Sequence, residues 1–308
     1  MIRQFSYILG IISVLLVVLS SFSESRSQSR IDDVKTFSSV PYSSRPGLNS
    51  DLNKLDIYAP KDAKNAPVMI MIHGGGWQMG DKSNRAVWEN KVPFFSANGF
   101  IFVNINYRLS PSIRHPEHIR DVAEALSWVH NNIEKYSGDK NKIFVMGHSA
   151  GAHLAALVST DEQRLKEFNK GLSIIKGVIL LDGAGYDIPQ QIKRLSLVKR
   201  RMAVGEVLAE MYEDAFTANE AVQKEASPFY HIEKGKNIPP FLIFTAGGRA
   251  DSVDQSRKMV QALDNARIRA ETVDDPAKNH GTINRNFGLA DEMITKKSKA
   301  FLDSILKL

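Results

Sequence analysis

From about residue 54 onward, short apolar runs alternate with stretches in which apolar residues recur every three or four positions. The runs at 68–72, 100–104, 142–146, 177–182 and 240–245 are largely continuous rather than alternating, the pattern of strands covered on both faces, and 54–58 and 270–273 add two further strand signals. Between them, Pro116 opens a helix in which Ile119, Val122, Leu126, Val129 and Ile133 form one apolar stripe. A second helix is expected from about 254 to 266. With an edge strand at 34–40, the alternation predicts an α/β fold: a mostly parallel twisted sheet of about eight strands, with helices on both faces. Residues 186–230 break the rhythm as an insert, long enough to form a lid or a substrate wall.

The first residues follow a different logic. Arg3, an apolar stretch at 8–19, and Ser21, Ser23 and Ser25 make the three-part secretory signal, too short to span a bilayer comfortably. Residues 1–25 are therefore expected to be removed on export, giving a secreted or periplasmic protein. An uncleaved segment would instead anchor it, the one case in which a membrane becomes a partner. Residues 26–50 read as a linker with the edge strand, and 51–308 as one large domain. The chain has no cysteine, which excludes disulfides and a lipid-modified cysteine anchor, so packing must supply the stability. The net charge of +6 is spread along the sequence. Its densest cluster, Lys193, Arg194, Lys199, Arg200 and Arg201, is offset by Glu206, Glu210, Glu213 and Asp214. Without interleaved aromatics, this reads as a charged helical face and not as a nucleic-acid site.

Candidate chemistry sits at the ends of the apolar runs. Gly147-His148-Ser149-Ala150-Gly151 follows Ile143-Phe144-Val145-Met146, so Ser149 falls on a strand-to-helix elbow and is the candidate nucleophile. The flanking glycines leave room for the adjacent strand and helix. After Val68 to Ile72 comes His73-Gly74-Gly75-Gly76-Trp77, a loop that can bring backbone amides close to a developing negative oxygen. The N–H groups of Gly75, Gly76 and Ala150 are the candidate oxyanion hole. The strand at 240–245 delivers Gly247-Gly248-Arg249-Ala250-Asp251, and the run at 270–273 is followed by Asn279-His280-Gly281. Asp251 and His280 thus complete a nucleophile, acid and base in the order serine, acid, histidine. Asp254 competes for the acid role but falls where a helix cap is expected. Asp274 and Asp275 stay open as further alternatives. The histidines show no metal-binding spacing and no dinucleotide fingerprint is present, so neither a metal nor a cofactor is expected.

These motifs, with Asn106-Tyr107-Arg108-Leu109-Ser110-Pro111 and Ala226-Ser227-Pro228, resemble the α/β-hydrolase superfamily. Within it the chain is similar to the hormone-sensitive-lipase-like group of bacterial feruloyl and acetyl esterases and arylformamidases. The acid loop departs from that pattern in following Asp251 with Ser252 instead of an apolar residue and Pro. The resemblance implies an exported serine hydrolase acting on a small-molecule or carbohydrate ester with a short acyl or cinnamoyl group, through an acyl-enzyme. The alternatives are an arylformamidase-like amide hydrolase and a non-catalytic binding protein on the same scaffold. Trp77, Tyr107 and Tyr186 are candidates for lining the pocket. Arg108, just after an apolar strand, is expected to pair with Asp121 on the helix beneath it.

Overall fold

The computed structural model describes residues 33–45, 48, 50–199 and 203–307. The expected signal segment at 1–25 lies outside the described residues. Among the described residues, eight strands form one sheet: β1 (Val34–Pro41), β2 (Lys54–Pro60), β3 (Ala66–Ile72), β4 (Ile101–Ile105), β5 (Gly138–His148), β6 (Ile175–Leu181), β7 (Phe241–Ala246) and β8 (Ala270–Asp275). Their spatial order is β1-β2-β4-β3-β5-β6-β7-β8. The β1–β2 and β2–β4 pairs are antiparallel and all the others are parallel. This is the architecture of the α/β-hydrolase fold.

The continuous apolar runs divide between two cores by the period-two geometry of a strand. In β3, Val68, Ile70 and Ile72 enter one core and Met69 and Met71 the other. The first core is closed by α2 (Glu117–Asn132) and α3 (Ala150–Thr160), and the second by α1 (Lys91–Ala97) and α7 (Met293–Leu306). The apolar stripe of α2 is buried throughout, Ile119, Val122, Leu126 and Val129 being at most 1 % exposed. The insert contributes α4 (Ile188–Lys199) and α5 (Ala203–Phe216), and α6 (Ala250–Asn265) connects β7 to β8. Among the described residues, no helix is long and apolar enough to cross a membrane.

Arg108 and Asp121 pair as expected: the Arg108 Nε–H donates to Asp121 Oδ2 at 2.8 Å, and Nη2–H donates to Oδ1 at 2.8 Å. Arg45 reaches the same carboxylate from the chain before β2, and Glu117 takes a further hydrogen bond from Arg108 at 2.6 Å. Asp121 is fully buried. Such a carboxylate is tolerated because two guanidinium groups satisfy it, and the loop after β4 is fixed to α2 as a result.

Candidate active site

The carboxyl ends of β3, β5, β6, β7 and β8 open onto one edge of the sheet, where parallel α/β sheets place their ligands. Ser149 leaves β5 with φ 56° and ψ −121°, a strained conformation for a residue with a Cβ, costing about 1–3 kcal/mol. Its surroundings enforce it. The Ser149 N–H donates to Leu181 O at 2.9 Å, while its carbonyl accepts the first amides of α3, from Ala152 at 3.0 Å and His153 at 3.2 Å. The glycines on either side are required by close approach. A Cβ on Gly147 would stand 2.1 Å from Gly151 O, and one on Gly151 2.2 Å from Ile72 O.

Ser149 Oγ lies 3.0 Å from His280 Nε2 and donates to it. On the other side of the ring, His280 Nδ1–H donates to a carboxylate at 2.6 Å, and that carboxylate belongs to Asp182. This corrects the sequence expectation, which placed Asp251 there. The reason is the sheet register. Leu181 of β6 is opposite His148 of β5, so the next residues, Asp182 and Ser149, emerge side by side. Asp251 instead begins the first turn of α6, where its Oδ2 accepts from Arg249 Nη2 at 2.9 Å and from Gln191 Nε2 at 3.2 Å. Among the alternative acids, Asp274 pairs with Arg257 and Asp254 with Lys258. Asp275 takes the amide of Ala277 at 3.1 Å. None of these three contacts involves His280.

Asp182 is fully buried and held at φ 48° by its amide, which donates to Phe244 O at 2.8 Å. Its Oδ1 accepts from the Ala246 amide at 3.1 Å, and its Oδ2 also accepts from Arg249 Nη1 at 3.2 Å. Burial alone would raise this carboxyl. The His280 hydrogen bond, the Arg249 charge and the Ala246 amide outweigh it and hold the group down at about 2. A fixed carboxylate at Nδ1 sets the tautomer that leaves Nε2 free to accept the serine proton.

His148 secures the His280 loop from below. Its Nε2–H donates to the backbone carbonyl of His280 at 2.8 Å, and the two rings lie 4.6 Å apart. Burial pushes this imidazole down to about 3, so it is neutral and does not compete for protons. Lys91, enclosed in the protein nearby, donates to Ala86 O at 2.9 Å and Asn284 O at 2.6 Å. Burial pushes its ammonium down to about 7.

Ser149 and His280 face a cavity of about 620 Å³, inside the range of about 300–1,000 Å³ that takes a small organic molecule. Gly75, Gly76 and Ala150 line it beside the serine. Gly75 and Gly76 have φ values of +113° and +61°, and a Cβ on Gly75 would stand 2.0 Å from Met79 O. One wall is apolar, built by Trp77 with Leu195 of α4 and Leu208, Met211 and Tyr212 of α5; Gln191, Arg249 and Asp251 supply polar groups. The insert therefore supplies much of the cavity surface, through residues that period and composition did not single out.

Of the three expected pocket aromatics, only Trp77 borders the cavity. Its Nε1–H donates to His153 Nδ1 at 3.2 Å, and His153 Nε2–H donates to Ala226 O at 2.7 Å. The buried imidazole of His153, pushed by burial to about 3, thus ties the Gly74–Trp77 loop to the Ala226-Ser227-Pro228 turn. Ser227 Oγ in turn accepts the amide of Ile188 at 2.9 Å, fixing the start of α4. Tyr107 and Tyr186 are corrected to core residues. Tyr107 is fully buried, stacks on His73 at 4.4 Å and donates its hydroxyl to His73 O at 3.1 Å. Tyr186 is 1 % exposed beneath the loop after β6, its hydroxyl within 2.5 Å of where a Gly183 Cβ would lie. Both were misplaced because an aromatic after a strand can turn inward as readily as toward a ligand.

The fold and the serine elbow define a member of the α/β-hydrolase superfamily, in its hormone-sensitive-lipase-like group. Within that group, the BD-FAE family model matches residues 55–263, and the chain belongs to this family. Among curated relatives, it is 32% identical over 218 residues to the esterase LipC of Mycobacterium tuberculosis, covering 68% of this chain and 51% of the relative. It is 29% identical over 245 residues to the isoprenylcysteine alpha-carbonyl methylesterase ICME of Arabidopsis thaliana, covering 74% and 53%. The chain thus spans about half the length of these relatives. Solved structures share the fold. Esterase B of Lactobacillus rhamnosis superposes with a TM-score of 0.69 at 20% identity, covering 96% of this chain and 97% of that one. A truncated carbohydrate esterase from gut microbiota gives 0.70 at 22% identity, covering 89% and 97%.

Proposed function

We propose that the chain is a serine hydrolase of carboxylic esters, with Ser149 as nucleophile, His280 as base and Asp182 as the orienting acid. One observation carries this reading: a continuous hydrogen-bonded line from Ser149 Oγ through both His280 nitrogens to a buried, ionised carboxylate, opening onto an apolar cavity.

In the first step, Ser149 Oγ attacks the ester carbonyl carbon and its proton passes to His280 Nε2. The carbonyl oxygen becomes an oxyanion beside the amides of Gly75, Gly76 and Ala150, where preorganised donors in a dry site lower the barrier; loss of one such donor costs about 100- to 1,000-fold. As the tetrahedral intermediate collapses, the imidazolium returns the proton to the departing alkoxide, leaving an acyl-serine. Water then attacks that ester with His280 as base, and the carboxylic acid leaves as Ser149 regains its proton. Asp182 keeps the tautomer and stabilises the imidazolium formed in each half-reaction.

The apolar wall favours a short acyl or cinnamoyl group, and the polar residues Gln191, Arg249 and Asp251 favour a hydroxylated alcohol such as a carbohydrate. Export, expected from residues 1–25, belongs to the same proposal. The test is a panel of nitrophenyl acetate, butyrate and cinnamate esters beside N-formyl anilides, run with the purified protein and with Ser149→Ala. Turnover of esters that Ser149→Ala loses is the expected result. Preference for the formyl anilides would move the activity to amide hydrolysis. Turnover of neither class by folded protein would leave a binding protein.

A further inference from the structure

Arg249 occupies an unusual position for a cation. Its Nη1 donates to Asp182 Oδ2 at 3.2 Å and to Asp182 O at 3.3 Å, and its Nη2 donates to Asp251 Oδ2 at 2.9 Å. The same Nη1 stands 2.8 Å from His280 Nδ1, and both atoms face Asp182 Oδ2. A fixed positive charge at that distance opposes formation of the imidazolium on which acyl transfer depends. Asp251 supplies the opposite charge on the far side of the guanidinium, anchored by Gln191.

We propose that Arg249 and Asp251 are paired positioning residues for the His280–Asp182 couple: Arg249 clamps the acid, and Asp251 cancels the charge that the clamp brings. The proposal rests on Asp182 being the acid, and it gives Asp251 a role other than the one its place in the sequence suggests. The remaining groups around His280 leave this pair as its adjustable charge. His148 is neutral and bonded to the His280 carbonyl, and Ser149 is the proton donor. Tyr186 and Tyr212 are buried with their hydroxyls raised well out of the neutral range. Lys91 is held by the carbonyls of Ala86 and Asn284, and Lys278 on the same loop is paired with Glu292 at 2.6 Å.

The test is the pH profile of kcat/KM for nitrophenyl acetate in Arg249→Met, Arg249→Lys, Asp251→Asn and the double variant Arg249→Met/Asp251→Asn, each checked for folding by its melting temperature. Removing the cation eases protonation of the imidazole. Arg249→Met should therefore move the acid limb to higher pH by on the order of one unit, the effect of one charge a few ångströms away and partly screened, and lower kcat about tenfold through the loosened acid. Asp251→Asn should move the limb to lower pH by about half a unit, its charge being farther off. The double variant should bring the limb back to about half a unit above wild type, the sum of the two opposed shifts. Arg249→Lys should keep the limb in place while losing kcat, since it retains the charge but not the fork. Limbs that stay put or move the same way in both single variants would overturn the proposal. Should Arg249→Met not fold, the contrast between Arg249→Lys and Asp251→Asn decides alone. Failure of the underlying reading looks different: Asp251→Asn would be inactive and Asp182→Asn active.

Discussion

Replacing Asp182 by Asn keeps the shape of the acid and removes its charge, and the structure sets the expected cost. The carboxylate accepts from His280 Nδ1 at 2.6 Å, Ala246 N at 3.1 Å and Arg249 Nη1 at 3.2 Å. An amide can serve the Ala246 donor through its oxygen, but it then turns its NH2 toward His280. The ring answers by accepting at Nδ1 and carrying its proton on Nε2, where it can no longer take the proton of Ser149. A wrong tautomer of this kind costs about 10⁴-fold in kcat, or about 5 kcal/mol of barrier. A smaller loss falls on stability. The Asp182 carboxyl is lowered from 3.8 to about 2, so its contribution is fully present above pH 3.8 and fades as pH falls through about 2. The variant should be less stable by about 2 kcal/mol at neutral pH. Stopped-flow hydrolysis of nitrophenyl acetate, with urea unfolding on the same samples, separates the two effects. Both the acylation burst and the steady rate should collapse while the fold remains. Activity within tenfold of wild type in folded Asp182→Asn, or a 10⁴-fold loss in Asp251→Asn instead, would refute the assignment.

Two further outcomes follow from the packing. The Lys91 ammonium is lowered from 10.5 to about 7 by burial, so the folded chain releases this proton near pH 7 while the unfolded chain keeps it to 10.5. The unfolded state then binds the extra proton across that window, and Lys91 should make stability rise with pH by about 1.4 kcal/mol per unit between those limits. Urea titrations of wild type and Lys91→Met at several pH values should show this slope as the difference between them; parallel profiles would contradict it. Gly151→Ala would set a Cβ 2.2 Å from Ile72 O and 2.5 Å from His73 O, both rigid backbone atoms at the end of β3. Thermal unfolding should show a loss of at least about 1–3 kcal/mol, with esterase turnover falling further because the amides of Gly75 and Gly76 move with that strand. An unchanged melting temperature would mean the elbow is looser than drawn.

The sheet was legible because strands buried on both faces leave uninterrupted apolar runs, and those read at 68–72 and 142–146 fall within β3 and β5. Ser149 and His280 were legible for steric and topological reasons: an elbow needs small neighbours, and loops after parallel strands share one edge. The carboxylate facing His280 was not, because aspartates follow both β6 and β7 and chain order cannot say which one turns to the imidazole. The signal available was Asp182 itself, a carboxylate closing the run Val178 to Leu181 and followed directly by Gly183. Its register beside Ser149 exists only once β5 and β6 pair. Arg249 was visible as a residue but not as a clamp, since its contacts span two loops 67 positions apart. The burial of Tyr107 and Tyr186 and the reach of α5 over the serine are likewise tertiary facts.

Acyl transfer as proposed requires Ser149 to be the group that takes the acyl chain. Reaction with a nitrophenyl alkylphosphonate, followed by intact-mass measurement and peptide mapping, tests it directly. One phosphonyl group per chain is expected, placed on Ser149, with ester turnover lost in proportion to labelling and no label on Ser149→Ala. Undiminished turnover by Ser149→Ala, or complete inactivation with the label on another residue, would contradict it.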